Sequence, residues 1–353
     1  MMKRKAFIVA IILMVFAAVL CASGGEPFAF LKLGVGTRAT GMGSAFTSIA
    51  DDSSGAYYNP AGSVNMKGLE LMGETYILSF DRSINYISIA KPFELNDAIY
   101  AFGASWINNY SGSNIETRLT NSPEPDSIMS DSSSIFTFNL STKLSDKICL
   151  GGNFKFLFKN LGAYYGIGVG FDLGTLIKLS ESLNAGLSFS GISTNIIWNG
   201  SSKTESLPQI TTAGLSYKFY NMFGAAGFSA LPSIDFVYNS FNGFSIRAGT
   251  EISINDFVFL RGGYNNALTL GAGIRIKPLD VLSIKIDYAY VSDNIIPGAI
   301  NHRIGLSLEY LFPQDGVEHN INADIKKPEN ILKNNSEPDK IKKKVSGNNE
   351  FEW

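Results

Sequence analysis

The chain has 353 residues, with 29 basic against 31 acidic side chains and a formal net charge of −2, a balance that leaves no electrostatic footprint for nucleic acid. Charged residues make up only 17%, below the roughly 25% usual for soluble domains, yet no stretch beyond the first residues is long and apolar enough for a membrane helix. Together with 35 glycines and 12% aromatics, this points to a membrane β-barrel and away from a soluble enzyme.

In chain order, the basic start Met1-Met2-Lys3-Arg4-Lys5 precedes uninterrupted apolar sequence up to Leu20 and the small residues Ala22, Ser23 and Gly24. This pattern predicts a Sec-type signal peptide over 1–24. Leu20 is bulky for the position before a lipidated cysteine, which argues against Cys21 as an anchor. Once the leader is removed, Cys149 stands alone, so no intrachain disulfide or cysteine-rich metal site forms. Residues 25–67 match neither neighbour. Gly34, Gly36, Gly41 and Gly43 permit tight backbone geometry, and Asp51-Asp52-Ser53-Ser54 and Asn59-Pro60 supply turn and cap chemistry. Such a piece folds compactly against something larger.

From residue 68 the period is two. Ile148, Leu150, Phe154, Phe156 and Phe158 share one face, and Lys147, Asn153, Lys155 and Lys159 the other. The same split recurs in 283–290 and 303–312, with weaker versions at 69–76, 83–91, 98–107, 134–144, 166–178, 183–190, 210–220, 233–239, 244–254, 257–264 and 268–277. The count is about fourteen strands, an even number within the range of outer-membrane barrels. The predicted fold is therefore all-β, a transmembrane antiparallel barrel over 68–312. A soluble sandwich alternates too, so the connections have to separate the two. The turns at 145–146, 180–182, 255–256 and 277–280 are very short, while 108–132 and 191–208 are long and polar. With a periplasmic N-terminus, every very short turn is expected at the periplasmic end and both long loops outside. Pro232 interrupts its strand and marks an edge, bulge or kink.

Tyr164, Tyr165, Tyr217, Tyr220, Tyr238, Phe241, Tyr264, Tyr310 and Phe312 cluster near strand ends, as interfacial girdles do. Tyr310 and Phe312 close the last strand in the manner recognised by barrel-assembly machinery. The composition then changes to an Asn-, Lys-, Glu- and Pro-rich tail, read as a disordered periplasmic extension over 313–353.

Catalytic chemistry has little to build on. There are two histidines, His302 and His319, and no cofactor or metal motif. Gly166, Gly168 and Gly170 superficially resemble a phosphate loop, but they continue a strand and precede no helix. With Gly174 they leave room inside the barrel. Adjacent Asp51 and Asp52 read as caps and turns. Arg247, Glu251, Arg275, Lys285, Asp287, Arg303 and Glu309 alternate inward, and are read as a network of paired charges around a plug.

Arg38-Ala39 followed by Gly41-Met42-Gly43, Ala45-Phe46, Ala50-Asp51-Asp52 and Asn59-Pro60-Ala61-Gly62 resembles the N-terminal signature of the FadL-like outer-membrane superfamily, with a spelling closest to its PorV/PorQ branch. The motif elements recur in order, whereas the likeness over 28–312 is one of pattern. The resemblance implies an outer-membrane location in a Gram-negative-type bacterium and contact with outer-membrane lipid. It implies that 25–67 form a hatch inside a fourteen-stranded barrel, to which Asn59, Pro60 and Ala61 belong and which Arg38, Asp51 and Asp52 help to pin. It implies transport of a hydrophobic small-molecule ligand that leaves sideways through the wall. The PorV/PorQ branch implies instead a part in type IX secretion, with exported cargo and secretion-system proteins as partners. A structural or general porin role is the third reading. The hydrophilic tail and modest loops depart from a plain FadL-like pattern.

Overall fold

The computed structural model describes residues 28–79, 82–112, 115–118, 121, 123–200, 204–221, 227–292 and 300–312. The expected leader and tail lie outside them. Fourteen long strands among the described residues form the wall: β1 (Leu69–Leu78), β2 (Arg82–Leu95), β3 (Ala98–Tyr110), β4 (Asp131–Ser145), β5 (Ile148–Leu161), β6 (Tyr164–Lys178), β7 (Leu183–Trp198), β8 (Ile210–Tyr217), β9 (Phe228–Asn239), β10 (Gly243–Ile254), β11 (Val258–Tyr264), β12 (Leu268–Leu279), β13 (Leu282–Ser292) and β14 (Ile300–Tyr310). Each pairs antiparallel with its chain neighbours. β14 returns to β1, from Leu69↔Tyr310 to Ile77↔His302, and closes the barrel. Closure leaves no unpaired edge.

Alternation orients the wall inside out. Ile87, Ile89, Phe138, Leu173, Phe236, Leu260 and Ile304 are exposed on the outer face, whereas their neighbours Ser88, Asn139, Asp172, Asp235, Arg261 and Arg303 are buried towards the lumen. An apolar exterior around a polar interior is what a lipid-embedded barrel requires.

The connections correct one expectation. Gly162-Ala163 and the stretches 240–242 and 265–267 are also short, and they lie at the end that carries the long loops, so very short turns occur at both ends. What remains is that both long connections share one end, called here the loop end. They are shorter than the sequence suggested, because β3, β4 and β7 run into them. Ile115–Thr117 pairs with Ser127–Met129 in a small hairpin, and Thr204–Ser206 folds back on β7. At the opposite, turn end, β12 continues to Leu279, so the turn expected at 277–280 reduces to Asp280-Val281.

Two places break the ladder. Against β6, β7 slips from Leu173↔Phe189 to Phe171↔Ile192 to Val169↔Asn195, which inserts two extra residues into β7. Gly191 and Ser193 take positive φ there (77° and 50°), and β8 pairs β7 only as far as Ser190. The result is a notch in the wall, bulged as β-bulges are. The second break faces Pro232: β8 ends at Tyr217, and pairing with β9 resumes at Phe219–Tyr220, so Pro232 has no partner on the β8 side while standing opposite Thr250 of β10.

Candidate functional site

Inside the wall lie residues 28–66, folded as short turns that include α1 (Thr37–Gly41) and α2 (Gly55–Tyr58). Each α-helix is about one turn, too short to be stable alone, so tertiary contacts hold them. The wall supplies those contacts from nearly every side. The Glu74 carboxylate on β1 accepts the amides of Gly36 (2.9 Å) and Thr37 (2.6 Å), satisfying the first donors of α1. Glu70 accepts Ser53 N and Oγ, and is itself held by Lys285 at 2.7 Å, with Glu309 3.3 Å from the same ammonium. Asp235 on β9 accepts Phe46 N, Thr47 N and the Thr47 hydroxyl.

Arg38 is the centre of a charged cluster. Its guanidinium donates to Glu251 (2.9 and 3.0 Å) and Asp51 (2.6 Å), with Asp52 at 3.4 Å. Glu251 also accepts Arg261 at 2.7 Å, and Arg261 reaches Asp287 at 2.6 Å. Burial disfavours the Arg38 charge, but Asp51, Glu251 and Asp52 outweigh it and hold the guanidinium firmly protonated. Asp52 is pushed up to about 6 by burial, with Glu70 and Asp51 adding and Arg38 opposing. Its Oδ1 accepts the amide and hydroxyl of Ser54, so Asp52 serves as a local cap as well as an ion-pair partner.

Asn59-Pro60-Ala61 sits across the lumen against β4, β5 and β6. Asn59 Nδ2 donates to Thr47 O (2.9 Å) and Thr175 O (3.0 Å), and its Oδ1 accepts Ala61 N (3.1 Å). Asn139 donates to Pro60 O at 2.9 Å, and Asn153 to Ala56 O at 2.8 Å. No charge takes part at Asn59 itself. A Cβ built on Gly174 would run into Asn59 Oδ1 and lie 2.7 Å from Pro60 Cδ. Gly43 has φ +64°, and a Cβ there would lie 2.5 Å from Tyr264 N, while Gly41 packs against Gly271. Gly166, Gly168 and Gly170 serve the wall instead: they make room for Ile196, Trp198 and Thr194 of the bulged part of β7.

The remaining sequence-derived residues sit as follows. Arg247 and Arg303 line a cavity at the loop end, Arg303 lying over the Tyr76 ring at 4.2 Å. Arg275 pairs with Asp256 at the turn-end rim, away from Arg38. His302 Nδ1 shares a hydrogen bond with Tyr288 Oη at 2.7 Å. Glu70, Glu74, Asn139, Asn153, Asp172, Asp235 and Arg261 hold or support the segment without having been singled out. Each is an isolated polar residue on an inward face, and only Glu70 and Glu74, four apart on one strand, carried a signal: both fall on the same face.

The segment divides the lumen. A cavity of about 670 Å³ opens at the loop end, its apolar lining drawn from Phe28, Leu31, Tyr57, Leu157, Leu207 and Val237. It extends to Ser190, Gly191, Thr194 and Pro208 at the β7 notch. Another, of about 900 Å³, lies at the turn end and mixes Lys143, Lys178 and Lys285 with Asp51, Asp256 and Glu309.

Fourteen antiparallel strands closed on themselves, apolar outside and polar within, define a membrane β-barrel of the outer-membrane kind. Among solved structures the chain is similar to the Ralstonia pickettii toluene transporter TbuX, with 14% identity over 80% of this chain and 100% of that one and a TM-score of 0.53. It is similar to the Pseudomonas putida toluene transporter TodX (13% identity, 78% and 97% covered, TM-score 0.51) and to a Pseudomonas aeruginosa FadL homologue (12%, 77% and 96%, TM-score 0.50). These likenesses establish the fold of FadL-type transporters. No family model matches the sequence, and none of the curated proteins does.

Proposed function

We propose that this barrel carries hydrophobic or poorly water-soluble small molecules across the outer membrane, without catalysis, and that residues 34–66 are its hatch. The observation that supports this most is the occluded lumen: a segment tied to the wall by Arg38, Glu74, Asn59 and Asp235 below a partly apolar cavity. Apolar walls with a few fixed polar groups are how small-ligand sites are built. The structural neighbours are named for toluene transport, which suggests the class of cargo. The cavity reaches the β7 notch, so the sideways exit is assigned to the β7–β8 seam. On this reading 1–24 export the chain, 68–312 span the membrane and 313–353 extend into the periplasm. Purified protein in liposomes is expected to speed entry of long-chain or aromatic compounds. If it neither binds nor passes any of them, the reading fails.

A second reading keeps the PorV/PorQ alternative, in which the loop end binds secreted cargo or secretion subunits. It is favoured by the pairing of Ile115–Thr117 with Ser127–Met129, which holds Ile128 60% exposed. Cargo co-purifying from native membranes, and lost on trimming that hairpin, would support it.

A further inference from the structure

We infer that the loop-end cavity is a binding site for an amphiphile with a phosphate head, held by Arg303 and Arg247. This rests on the carrier reading above and adds the head-group chemistry to it. The charged residues lining the cavity are Lys32, Arg82, Lys155, Arg247 and Arg303, with no carboxylate among the described lining residues. Lys155 is already matched by Asp172 at 2.5 Å. The two arginines are different.

Arg303 is 1% exposed, and its Nε and Nη1 have no hydrogen-bond partner among the described residues. Arg247 Nε also has none, and neither guanidinium has an ion-pair partner among the described residues. Asp235 stands opposite Arg247 across the β9–β10 ladder, with its Oδ2 taken by Phe46 and Thr47 and its Oδ1 unpartnered among the described residues. Arg247 thus has a carboxylate nearby without a direct ion pair, whereas Arg303 has none opposite it. The Tyr76 ring offsets part of the Arg303 charge. A buried charge without a hydrogen-bonded counterpart is costly, so Arg303, with the half-buried Arg247 lining the same cavity, reads as a receptor for an anion.

Geometry narrows the anion. The two guanidinium groups come from β10 and β14, and both line this one cavity together with Tyr57 and Tyr58. Two planar forks suit a phosphate, which offers several acceptor oxygens and more than one charge, better than a single carboxylate. Leu31, Leu157, Leu207 and Val237 supply the surface for an apolar tail. The turn-end cavity interleaves its cations with six carboxylates, Asp51, Asp146, Glu181, Glu251, Asp256 and Glu309, which nearly balance them.

Calorimetric titration of the full-length protein in a neutral detergent, with octyl phosphate, octanoate, octan-1-ol and inorganic phosphate, tests this. Octyl phosphate is expected to bind about tenfold tighter than octanoate, and octanoate tighter than octanol. Arg303→Gln and Arg247→Gln should each weaken octyl phosphate about tenfold while leaving octanol within about twofold. Heat-modifiable gel mobility checks folding. If Arg303→Gln does not fold, Arg247→Gln at its half-buried site decides. Equal binding of octyl phosphate and octanoate, or unchanged octyl phosphate affinity in the folded variants, overturns the proposal. Inorganic phosphate binding as tightly as octyl phosphate also overturns it, since the site would then read a free ion. Octanol binding as well as the charged compounds removes the head-group site but leaves the carrier reading standing. No binding by any eight-carbon compound sinks both.

Discussion

The N-terminal segment is held on opposite sides of the barrel by two different chemistries. Towards β10–β13, Arg38 enters an alternating chain of charges, Asp51 and Asp52 on one side and Glu251, Arg261 and Asp287 on the other. Towards β4–β6, Asn59 and Pro60 are held by amide hydrogen bonds and by a wall position, Gly174, that leaves no room for a methyl group. The charged side depends on its members being present and on their protonation states. The neutral side is insensitive to pH but intolerant of added volume. A segment gripped in both ways has one attachment that conditions can loosen and one that fixes its register.

The largest effect is expected from Glu251→Ala, which removes the carboxylate shared by Arg38 and Arg261 and leaves Arg38 to Asp51 and Asp52 and Arg261 to Asp287. Removing one member of a buried ion pair costs about 3–5 kcal/mol. With Cys149 changed to Ser, a cysteine at Ser48, 1% exposed in the docked segment, should then react with a maleimide about a hundredfold faster or more. Unchanged labelling would remove the charged attachment from the comparison. Gly174→Ala comes next: overpacking of about 1–3 kcal/mol should raise the same rate by roughly tenfold or more, and equally at pH 5 and pH 8.

Asp52 sharpens the contrast through pH. Burial raises it to about 6 from an ordinary value of 3.8, so the docked segment binds that proton more tightly than a released one. Docking is therefore strengthened as pH falls from about 6 to about 4, weakened as it rises through that window, and unchanged by this group above it. Labelling, expressed relative to the same thiol in the unfolded chain so that its own thiolate fraction cancels, should follow that curve, and the Asp52→Asn variant should flatten it. The smallest effect is expected at the rim. Lys277, 56% exposed and paired with Asp256, contributes less than about 1 kcal/mol, and Lys277→Ala should leave labelling unaltered.

Most of the wall was legible because period two survives wherever one face meets lipid and the other the lumen, as at Ser283–Tyr290 in β13. It failed at β7. The expected strand stopped at Ser190, whereas β7 continues to Trp198, because two inserted residues with Gly191 and Ser193 at positive φ shift the phase and hide the continuation. The segment's own motif pointed to Arg38, Asp51, Asp52 and Asn59. Most of its receptors were not legible: apart from Glu70 and Glu74, which share one face of β1, Asp235, Asn139 and Asn153 are single polar residues on alternating faces, indistinguishable by pattern from solvated ones until the ring closes.

The central claim is that molecules pass only when the segment moves. Gly41 and Gly271 approach so closely that a Cβ on Gly41 would lie 3.3 Å from Gly271 Cα, so a Gly41→Cys/Gly271→Cys pair in a Cys149→Ser background should oxidise to tie the segment to β12. Uptake of a hydrophobic compound into liposomes carrying this variant is expected to stop when the pair is oxidised and to return on reduction. Uptake that continues unchanged through the tethered barrel would contradict it.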